Sequence, residues 1–353
     1  HSGYGLQGRM VPLTMALSQP NPYAPDCSRS WGSWFYPSVL AETRDAVLND
    51  YWCVPTTQAS LRVYYNQDMF AAAGIERAPA TWAEFMAVCQ KLDGLVYKHK
   101  RIIPMAVECA PSPSYVLAAM RWMRSMLYQD LVPKVDCRNG DGQVTGEELL
   151  IACYAGTIDI RQPQIVEPLR LVEQWSAYFG KGATGTDEQL AQFLFINEFA
   201  AMRIDGSWKL RDIETSKARK FRYGVFRFPL ITRASSPFAA GTYTEPANAD
   251  VAFGVTAVTR RRGNTELAID FLRFLTAPQN MQVLSDKAWI IPTIPEVEVA
   301  DPKIAVFRPL QSPGEQGYGA FDPFALSSYT SNRFAEHLQL LVGGYTDRQE
   351  LLA

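Results

Sequence analysis

Segments typical of strands and segments typical of helices alternate along most of this chain. "LRVYYN" (61–66), "RIIPMAVE" (101–108) and "YGVFRFPLI" (223–231) are rich in β-branched and aromatic residues, as buried strands are. Between them lie segments with apolar residues at helical spacing, such as "TWAEFMAVCQKL" and "PSYVLAAMRWMRSML". The alternation predicts a fold of the α/β class and argues against a β-sandwich.

Local signals refine some of these elements. In "TWAEFMAVCQKL", Thr81 and Glu84 have the spacing of a capping box, in which each side chain bonds the other's backbone N–H. Trp82 and Trp122 both lie within predicted helices, so we assign them to packing. "VAFGVTAVT" (251–259) is predicted to be a strand. "NTELAIDFLRFLTAP" is predicted to be a helix whose apolar face carries Ala268, Phe271, Leu272 and Leu275.

Size and charge narrow the class of protein. The 353 residues exceed the length at which a single core stops growing, so two lobes are expected. A net charge of −2 argues against a nucleic-acid binder, which needs a basic face. The basic run Arg260–Arg262 is assigned to a solvated turn before a helix. No run reaches the roughly 18 apolar residues of a membrane-spanning helix.

The six cysteines are even in number and form no CxxC pair, and no histidine lies near them. This pattern does not favour zinc or a redox motif, and it fits structural disulfides in an oxidising compartment. Pairing of neighbours is the simplest arrangement, and buried free thiols are the alternative. The neighbour pairs would be Cys27–Cys53, Cys89–Cys109 and Cys137–Cys153.

Motifs of known catalytic sites are lacking in the sequence. It contains no GxSxG, HExxH, glycine-rich phosphate loop or GxGxxG, and its only histidines are His1, His99 and His337. A pair of carboxylates such as glycosidases use stays open, because its members can lie far apart in sequence. Nothing in the sequence positively favours an enzyme.

One segment has the pattern of a calcium-binding loop. "DCRNGDGQVTGEELL" (136–150) offers alternating oxygen ligands, a glycine for a sharp turn at Gly142 and a final glutamate, as an EF-hand loop requires. Cys137 falls where the first ligand should be, so the loop has either one extra residue or a lost ligand. The alternative is a surface turn before a helix capped at Thr145. The candidate ligands of a structural Ca²⁺ are Asp136, Asn139, Asp141, Gln143 and Glu148.

Four segments together resemble one family. They are "YYNQDMFAAAGIERAPATWAEFMAVCQKL", "FINEFAAMRIDGSWKL", "GVFRFPL" and "FGVTAVTRRRGNTELAIDFLRFLTAPQNMQVLSDKAWIIPTIPEV". In this order they resemble the extracellular solute-binding proteins of ABC transporters, in the sugar-binding group that includes maltose-binding protein. The resemblance covers roughly residues 8 to 345. The sequence departs from the family at Glu198-Phe199, in its six cysteines and in the calcium-like insertion.

The resemblance implies a two-lobed periplasmic-binding-protein-like II fold with a central ligand cleft. The N-terminal lobe would take residues 1–65 and 252–302, and the C-terminal lobe residues 67–250 and 303–353, with the insertion at 136–148. The start of the N-terminal lobe is expected to be incomplete, because the family's chains begin with further strands and helices. The lobes would close around the ligand by rotation about a few backbone positions near Tyr65-Asn66.

The same resemblance suggests residues for ligand binding. A sugar has apolar C–H faces and a rim of hydroxyls, so its site needs aromatic platforms and planar polar groups. Trp208 matches a tryptophan that stacks on sugar in the family, and Asp205 either bonds hydroxyls or holds the turn. Tyr115 lies where the family places cleft aromatics, with core packing as the alternative. The other candidates are Tyr329 at an aromatic contact position, Gln58 among polar cleft residues, and Phe253 and Trp289 on the rim of the N-terminal lobe.

The resemblance therefore implies a monomeric binding protein that passes a mono- or oligosaccharide to an ABC importer permease without chemistry. It would work in the periplasm or outside the cell, with a lipid anchor as one option, and require no cofactor. The first alternative is a secreted carbohydrate-active enzyme, a hydrolase or lyase with structural calcium. The second keeps the fold and changes the ligand to a polyamine, peptide or anion, in which case carboxylates in the site would indicate a cation.

Overall fold

The computed structural model describes residues 4–5, 7–45, 48–138, 140, 142, 144–242, 249–308 and 321–352. The strands are β1 Val54–Pro55, β2 Thr57–Gln58, β3 Leu61–Asn66, β4 Val96–Tyr97, β5 Lys100–Arg101, β6 Ile103–Ala106, β7 Ala200–Gly206, β8 Tyr223–Phe226, β9 Ala252–Phe253 and β10 Ile291–Pro292. The helices are α1 Thr14–Ser18, α2 Pro37–Ala41, α3 Gln67–Ala72, α4 Trp82–Leu92, α5 Ser114–Leu127, α6 Val132–Val135, α7 Gly146–Tyr154, α8 Pro163–Ser176, α9 Glu188–Ile196, α10 Leu210–Thr215, α11 Val258–Arg262, α12 Thr265–Leu275, α13 Pro278–Ala288, α14 Pro302–Ala305, α15 Ser328–Val342 and α16 Arg348–Leu351.

The chain divides into two compact units. Unit 1 consists of His1–Ser60, Gly206–Asp212 and Ala247–Pro309, and unit 2 of Leu61–Asp205, Ile213–Pro246 and Leu310–Ala353. Strand β3 therefore lies wholly in unit 2, and the chain first passes between the units at Ser60-Leu61. The predicted lobe bounds and the hinge at Tyr65-Asn66 stay predictions. No helix in the described ranges is long and apolar enough to span a membrane.

Unit 2 is organised by a four-stranded sheet with the order β6-β7-β3-β8. Strands β6 and β7 are parallel, with Ala106 paired to Arg203, and β3 and β8 are antiparallel. Because successive side chains of a strand point to opposite faces, Arg203 and Asp205 lie on one face of β7 and Met202 and Ile204 on the other. Met202 and Ile204 belong to the large core of the unit. The opposite face of β7 is polar, yet Arg203 and Asp205 are fully buried there.

The apolar side of this sheet is filled by aromatic rings. Trp82 of α4 lies 5.5 Å from Phe85, 6.2 Å from Trp175 and 5.7 Å from Phe228, measured between ring centroids. Trp122 stacks on Phe228 at 5.3 Å. The assignment of Trp82 and Trp122 to packing is confirmed.

The start of α4 is as the sequence predicts. The Thr81 hydroxyl accepts the Glu84 N–H at 3.3 Å, and the Glu84 carboxylate accepts the Thr81 N–H at 3.1 Å. Both bonds of the predicted capping box are therefore formed. A second capping box, between Thr145 and Glu148, begins α7.

Unit 1 contains two antiparallel strand pairs, β1 with β9 and β2 with β10. Its core surrounds Trp31, whose indole N–H donates to the Thr276 hydroxyl at 2.8 Å. Helix α12 packs on this core through Ile269 and Leu272. The predicted apolar face of α12 is wrong at Phe271, which is 58% exposed. Apolar residues lie on several sides of this helix, and packing near Trp31 decides which of them are buried.

The predicted strand 251–259 is also wrong beyond its first part. Strand β9 ends at Phe253, an isolated antiparallel bridge joins Thr256 to Met10, and Val258–Arg262 forms the short helix α11. A side chain at Gly254 would come within 2.5 Å of the Trp52 carbonyl, so a residue that strands disfavour is required here. The basic run Arg260–Arg262 therefore lies in the last turn of α11, where it is exposed, and not in a turn before a helix.

The three predicted disulfides are not formed, and all six cysteines are free thiols. Cys53, Cys89 and Cys109 are buried, whereas Cys27 and Cys137 are exposed and Cys153 is half-buried. Burial raises the pKa of the Cys53 thiol to about 11 and that of Cys109 to about 12. These two thiols therefore stay protonated at neutral pH, and Cys53 and Cys109 pack as small apolar side chains.

Candidate functional site

Polar side chains from several elements of unit 2 meet where β7 ends. Asp205 is the second-last residue of that strand, and Tyr115 is the second residue of α5. The Tyr115 hydroxyl donates to Asp205 Oδ1 at 2.9 Å. Arg203 forms an ion pair with the other carboxylate oxygen of Asp205. Two candidates that lie 90 residues apart in sequence are thus in direct contact, with Tyr115 half-buried and Asp205 fully buried.

Burial raises the pKa of the Tyr115 hydroxyl, and the hydrogen bond to Asp205 and its negative charge raise it further. The phenol is therefore a proton donor throughout the physiological range. It fixes the orientation of Asp205, and Tyr115 itself is only half-buried. A partly exposed aromatic ring held by a carboxylate suits recognition of a polar ligand.

Glu108 belongs to the same group, although the sequence analysis did not select it. Glu108 follows the last residue of β6 by two positions, and its carboxyl lies close enough to that of Asp205 for the two to interact. Burial raises the pKa of the Glu108 carboxyl, and the nearby carboxylates of Glu188 and Asp205 raise it further. Its position at the end of "RIIPMAVE" was the available signal, because ligands of α/β sheets bind outside the carboxyl ends of strands.

The start of α9 adds further negative charge near Glu108. The Thr186 carbonyl accepts the N–H groups of Cys109 and Ala110 at 2.8 and 3.0 Å, which ties the loop after β6 to the start of α9. The next two residues, Asp187 and Glu188, carry carboxylates that interact with Glu108. We call the group formed by Glu108, Tyr115, Asp187, Glu188, Arg203 and Asp205 the strand-end cluster.

Trp208 lies in unit 1 and is 49% exposed. Its ring covers Gly206, where a Cβ would come within 2.3 Å of the indole. The Ser207 N–H donates to the Ser60 carbonyl at 3.1 Å, which anchors this turn next to β2. An exposed indole on a fixed turn is free to act as a platform for an apolar ligand face.

The side chain of Gln58 is held by a hydrogen bond that the sequence does not predict. It is buried in β2, and its side-chain amide donates to the Pro292 carbonyl of β10 at 2.6 Å. This bond joins segments 234 residues apart, so it could not be read from the local sequence. The amide of Gln58 is thus engaged in holding the strand pair.

Of the remaining aromatic candidates, Tyr329 belongs to unit 2, whereas Phe253 and Trp289 belong to unit 1. Tyr329, near the start of α15, is 74% exposed, and its hydroxyl makes no hydrogen bond within the described ranges. Phe253 of β9 is 46% exposed, and the half-buried Trp289 ends α13 in a left-handed conformation. Their proposed contacts with a ligand stay predictions.

The calcium-like loop is only partly described, since Asn139, Asp141 and Gln143 lie outside the described residues. Asp136 accepts backbone N–H groups at both carboxylate oxygens, from Gly140 at 2.9 Å and Gly142 at 2.7 Å. Glu148 is fully buried. Burial acts to raise the pKa of Glu148, but hydrogen bonds from Thr145, Arg138 and Asp136 lower it overall. The two acidic residues at the ends of the loop therefore interact.

A separate cavity of about 550 Å³ lies in unit 2 beside α3. The arginines that line it are already ion-paired outside the lining, Arg77 with Glu84 and Arg222 with Asp68. Its lining residues are Tyr65, Gln67, Phe70, Ala71, Gly74, Ile75, Glu76, Arg77 and Arg222. It contains none of the candidate residues, so we place the functional site at the strand-end cluster.

Comparison with known families gives the class of protein. Residues 25–306 match the model of the family described as "Bacterial extracellular solute-binding protein". The match covers well over half of the chain, which therefore belongs to the bacterial extracellular solute-binding proteins. No curated protein matches the sequence significantly.

Solved structures of such proteins have the same fold. A chitin oligosaccharide binding protein matches with a TM-score of 0.66 at 18% identity, over 99% of this chain and 78% of its own. MalE3 of T. maritima with bound maltose matches with a TM-score of 0.63 at 17% identity, over 99% of this chain and 78% of its own. UgpB of Mycobacterium tuberculosis, in complex with glycerophosphocholine, matches with a TM-score of 0.63 at 14% identity, again over 99% of this chain and 78% of its own. The α/β fold predicted from the sequence is thus confirmed.

Proposed function

We propose that this protein binds a mono- or oligosaccharide outside the cytoplasmic membrane and, as a monomer, delivers it unchanged to the permease of an ABC importer. The observation that carries the proposal is the contact between Tyr115 and Asp205 at the end of β7. It holds the half-buried ring of Tyr115 in place against a buried carboxylate, and a fixed aromatic ring is one of the group types that a sugar requires. Membership of an extracellular solute-binding family supports the location and the transport role.

The ligands of structurally similar proteins favour a carbohydrate over other solutes as the ligand of this protein. One is named for chitin oligosaccharides, and another contains maltose. UgpB, which was solved with glycerophosphocholine, indicates that the fold also accommodates other polar ligands. The side chains of the strand-end cluster decide between these classes, and carboxylates such as Glu108 accept hydrogen bonds from sugar hydroxyls.

A thermal-shift screen of the purified protein against a panel of sugars tests the proposal. The panel should contain malto-, cello-, xylo- and chito-oligosaccharides at millimolar concentration. Binding to the folded state alone stabilises it by about 2.7 kcal/mol at 100 times Kd, which is several degrees for a domain of moderate size. We expect such a shift with at least one sugar. A folded sample that none of them stabilises would refute the proposal.

One observation keeps a hydrolytic alternative worth testing. The carboxyl groups of Glu108, just after β6, and Asp205, near the end of β7, interact, and burial raises the pKa of Glu108, as in a general acid. Asp205, however, is fully buried and ion-paired with Arg203, which suits it poorly for attack on a sugar. We expect no shortened product when the protein is incubated with each oligosaccharide and the mixture is separated by chromatography. Multiple turnovers would favour the enzyme.

We also propose that the loop from Asp136 to Glu148 holds a structural Ca²⁺. Support comes from two buried carboxylates that interact at its ends. A bound ion would add oxygen ligation to a loop whose described residues are joined by hydrogen bonds and by the Arg138–Glu147 ion pair.

The calcium proposal predicts a metal-dependent melting temperature. We expect Ca²⁺ at 1 mM to raise the Tm by a few degrees relative to a chelator-treated sample, since ligation stabilises only the folded loop. In Glu148→Gln this difference should vanish, whereas Glu147→Gln, which alters a half-exposed neighbour paired with Arg138, should retain it. An identical Tm with and without Ca²⁺ in the wild-type protein would rule the site out.

A further inference from the structure

Helix α12 carries exposed apolar side chains on the side that faces away from the core of unit 1. Leu267 is 70% exposed, and Phe271 and Phe274 are also exposed. These three residues are four and three positions apart, so they lie on one side of the helix. Ile269 and Leu272, which belong to the core, lie on the other side. We call Leu267, Phe271 and Phe274 the apolar stripe; exposed apolar groups of this kind mark interaction surfaces.

Tyr23 extends the apolar stripe at one end. Its ring meets that of Phe274 edge-on, with 5.5 Å between the ring centroids. Its hydroxyl donates to the carboxylate of Asp270 at 2.6 Å, so this carboxylate of α12 is already engaged. A ring with an apolar body and a polar tip suits a boundary between an apolar phase and water.

The opposite end of the apolar stripe is basic. Arg260–Arg262, which end two residues before α12, are all exposed and form no ion pair within the described residues. Arg9, also exposed, is tied to the same place, because its carbonyl accepts the Ala257 N–H at 2.8 Å. The whole chain has a net charge of −2, so these four arginines are a local concentration of positive charge.

We propose that unit 1 docks on a lipid bilayer that contains anionic phospholipids, with the apolar stripe inserted at the headgroup boundary and Arg260–Arg262 on lipid phosphates. An apolar helix face accompanied by cationic side chains is typical of helices that lie in the membrane interface. Guanidinium groups bind phosphate oxygens in bidentate geometry, and an anionic surface attracts basic segments. This surface is separate from the strand-end cluster, and the inference does not depend on which ligand is bound there.

Charge favours a bilayer over a second copy of the same face. Another copy supplies the same four arginines, whereas the described part of α12 offers it one exposed carboxylate, that of Glu266. The other carboxylate of the helix, that of Asp270, is bonded to Tyr23. Two such faces therefore complement each other poorly, while phosphate groups match the arginines.

Flotation of the whole protein with lipid vesicles tests the inference. One set of vesicles contains phosphatidylglycerol and phosphatidylcholine in equal parts, and the other contains phosphatidylcholine alone. At low salt we expect at least about tenfold stronger binding to the anionic vesicles, because each arginine near an anionic surface adds to the attraction. Raising the salt to about 0.5 M should weaken this binding several-fold, since it shortens the range of the attraction.

A set of charge variants tests the role of the arginines. The triple variant Arg260→Gln/Arg261→Gln/Arg262→Gln should bind anionic vesicles at least about tenfold more weakly than the wild type. The control, Lys91→Gln/Arg101→Gln/Arg161→Gln, removes the same charge from exposed positions of unit 2. It should stay within about threefold of the wild type.

A second pair of variants tests the apolar stripe. Phe271→Ser should weaken binding to anionic vesicles about tenfold, because the inserted apolar area is reduced. Tyr154→Ser, which alters an exposed tyrosine of unit 2, should bind as the wild type does. Thermal unfolding of all four variants verifies that they are folded.

The contrary results are distinct. Lack of vesicle binding, equal binding to both kinds of vesicle, or unchanged binding by folded Phe271→Ser or by the Arg260–Arg262 variant would overturn the inference. Sedimentation velocity covers the alternative occupant: a dimer that Phe271→Ser abolishes, without vesicle binding, would assign the face to a second copy. The sugar panel tests the proposed function separately, and its outcome does not alter the vesicle result.

Discussion

Asp205→Asn is expected to lower the free energy of unfolding by about 3 to 5 kcal/mol, the usual effect of breaking a buried ion pair. Asp205 and Arg203 are both fully buried and paired with each other. Arg62, a second fully buried arginine on the adjacent strand β3, adds positive charge nearby. Loss of the Asp205 charge leaves the buried guanidinium of Arg203 without its ion-pair partner. Urea denaturation, followed by tryptophan fluorescence, measures the change.

The double variant Arg203→Met/Asp205→Asn is the informative control. Removal of both charges should recover much of the lost stability, since an apolar side chain replaces an unpaired buried cation. Asp212→Asn, which removes an exposed carboxylate 3.8 Å from Lys209, should cost no more than about 1 kcal/mol. If Asp205→Asn were as stable as the wild type, the buried pair would not hold the strand-end cluster together.

Trp82→Ala should destabilise the protein by about 3 to 5 kcal/mol, as is typical when a large aromatic side chain is removed from a core. Trp82 is 2% exposed and contacts the rings of Phe85, Trp175 and Phe228. The cavity left between these rings cannot collapse without moving α4 and α8. Differential scanning calorimetry should show a marked fall in Tm.

Trp208→Ala is the matched comparison, because Trp208 is 49% exposed and lies on a turn. We expect a stability loss below about 1 kcal/mol, as for most surface substitutions. If the indole is a platform for sugar, Trp208→Ala should weaken ligand binding. Equal destabilisation by both variants would show that the division into packing and binding tryptophans is mistaken.

Features set by neighbouring residues were predictable from the sequence. The capping box of Thr81 and Glu84 spans three residues, and both its bonds are formed. Strand β7 and helix α9 follow equally local patterns and lie where "EQLAQFLFINEFAAMRIDG" predicts them. In these segments, local preference and tertiary packing agree, which is the condition under which sequence reasoning succeeds.

Features that depend on distant contacts were not predictable in the same way. Apolar residues surround much of α12, so only its packing near Trp31 shows that Phe271 is exposed. The resemblance suggests Gln58 as a ligand-binding residue, whereas its bond to the Pro292 carbonyl is not visible in the local sequence. The approach of Glu108 to Asp205 depends on the pairing of β6 with β7, whose paired residues are about a hundred positions apart in sequence.

The resemblance to solute-binding proteins located Tyr115 and Asp205, but it did not show their hydrogen bond or the buried Arg203 behind them. Those details come from burial and from the alternation of side chains along β7. They also indicate why Asp205 is a component of the site and not simply a turn residue. Because Asp205 is fully buried, it acts by holding the Tyr115 ring in a fixed orientation that a ligand can use.

The central claim is that the strand-end cluster binds a carbohydrate, and calorimetric titration of three proteins tests it most directly. The sugar with the largest thermal shift should be titrated into the wild type, Tyr115→Ala and Tyr154→Ala, the last altering a tyrosine that is 98% exposed. We predict saturable binding by the wild type and by Tyr154→Ala. Affinity should be at least about tenfold weaker in folded Tyr115→Ala, because an aromatic contact and the support of Asp205 are lost together. Undiminished affinity in Tyr115→Ala, or no saturable binding by the wild type, would contradict the account.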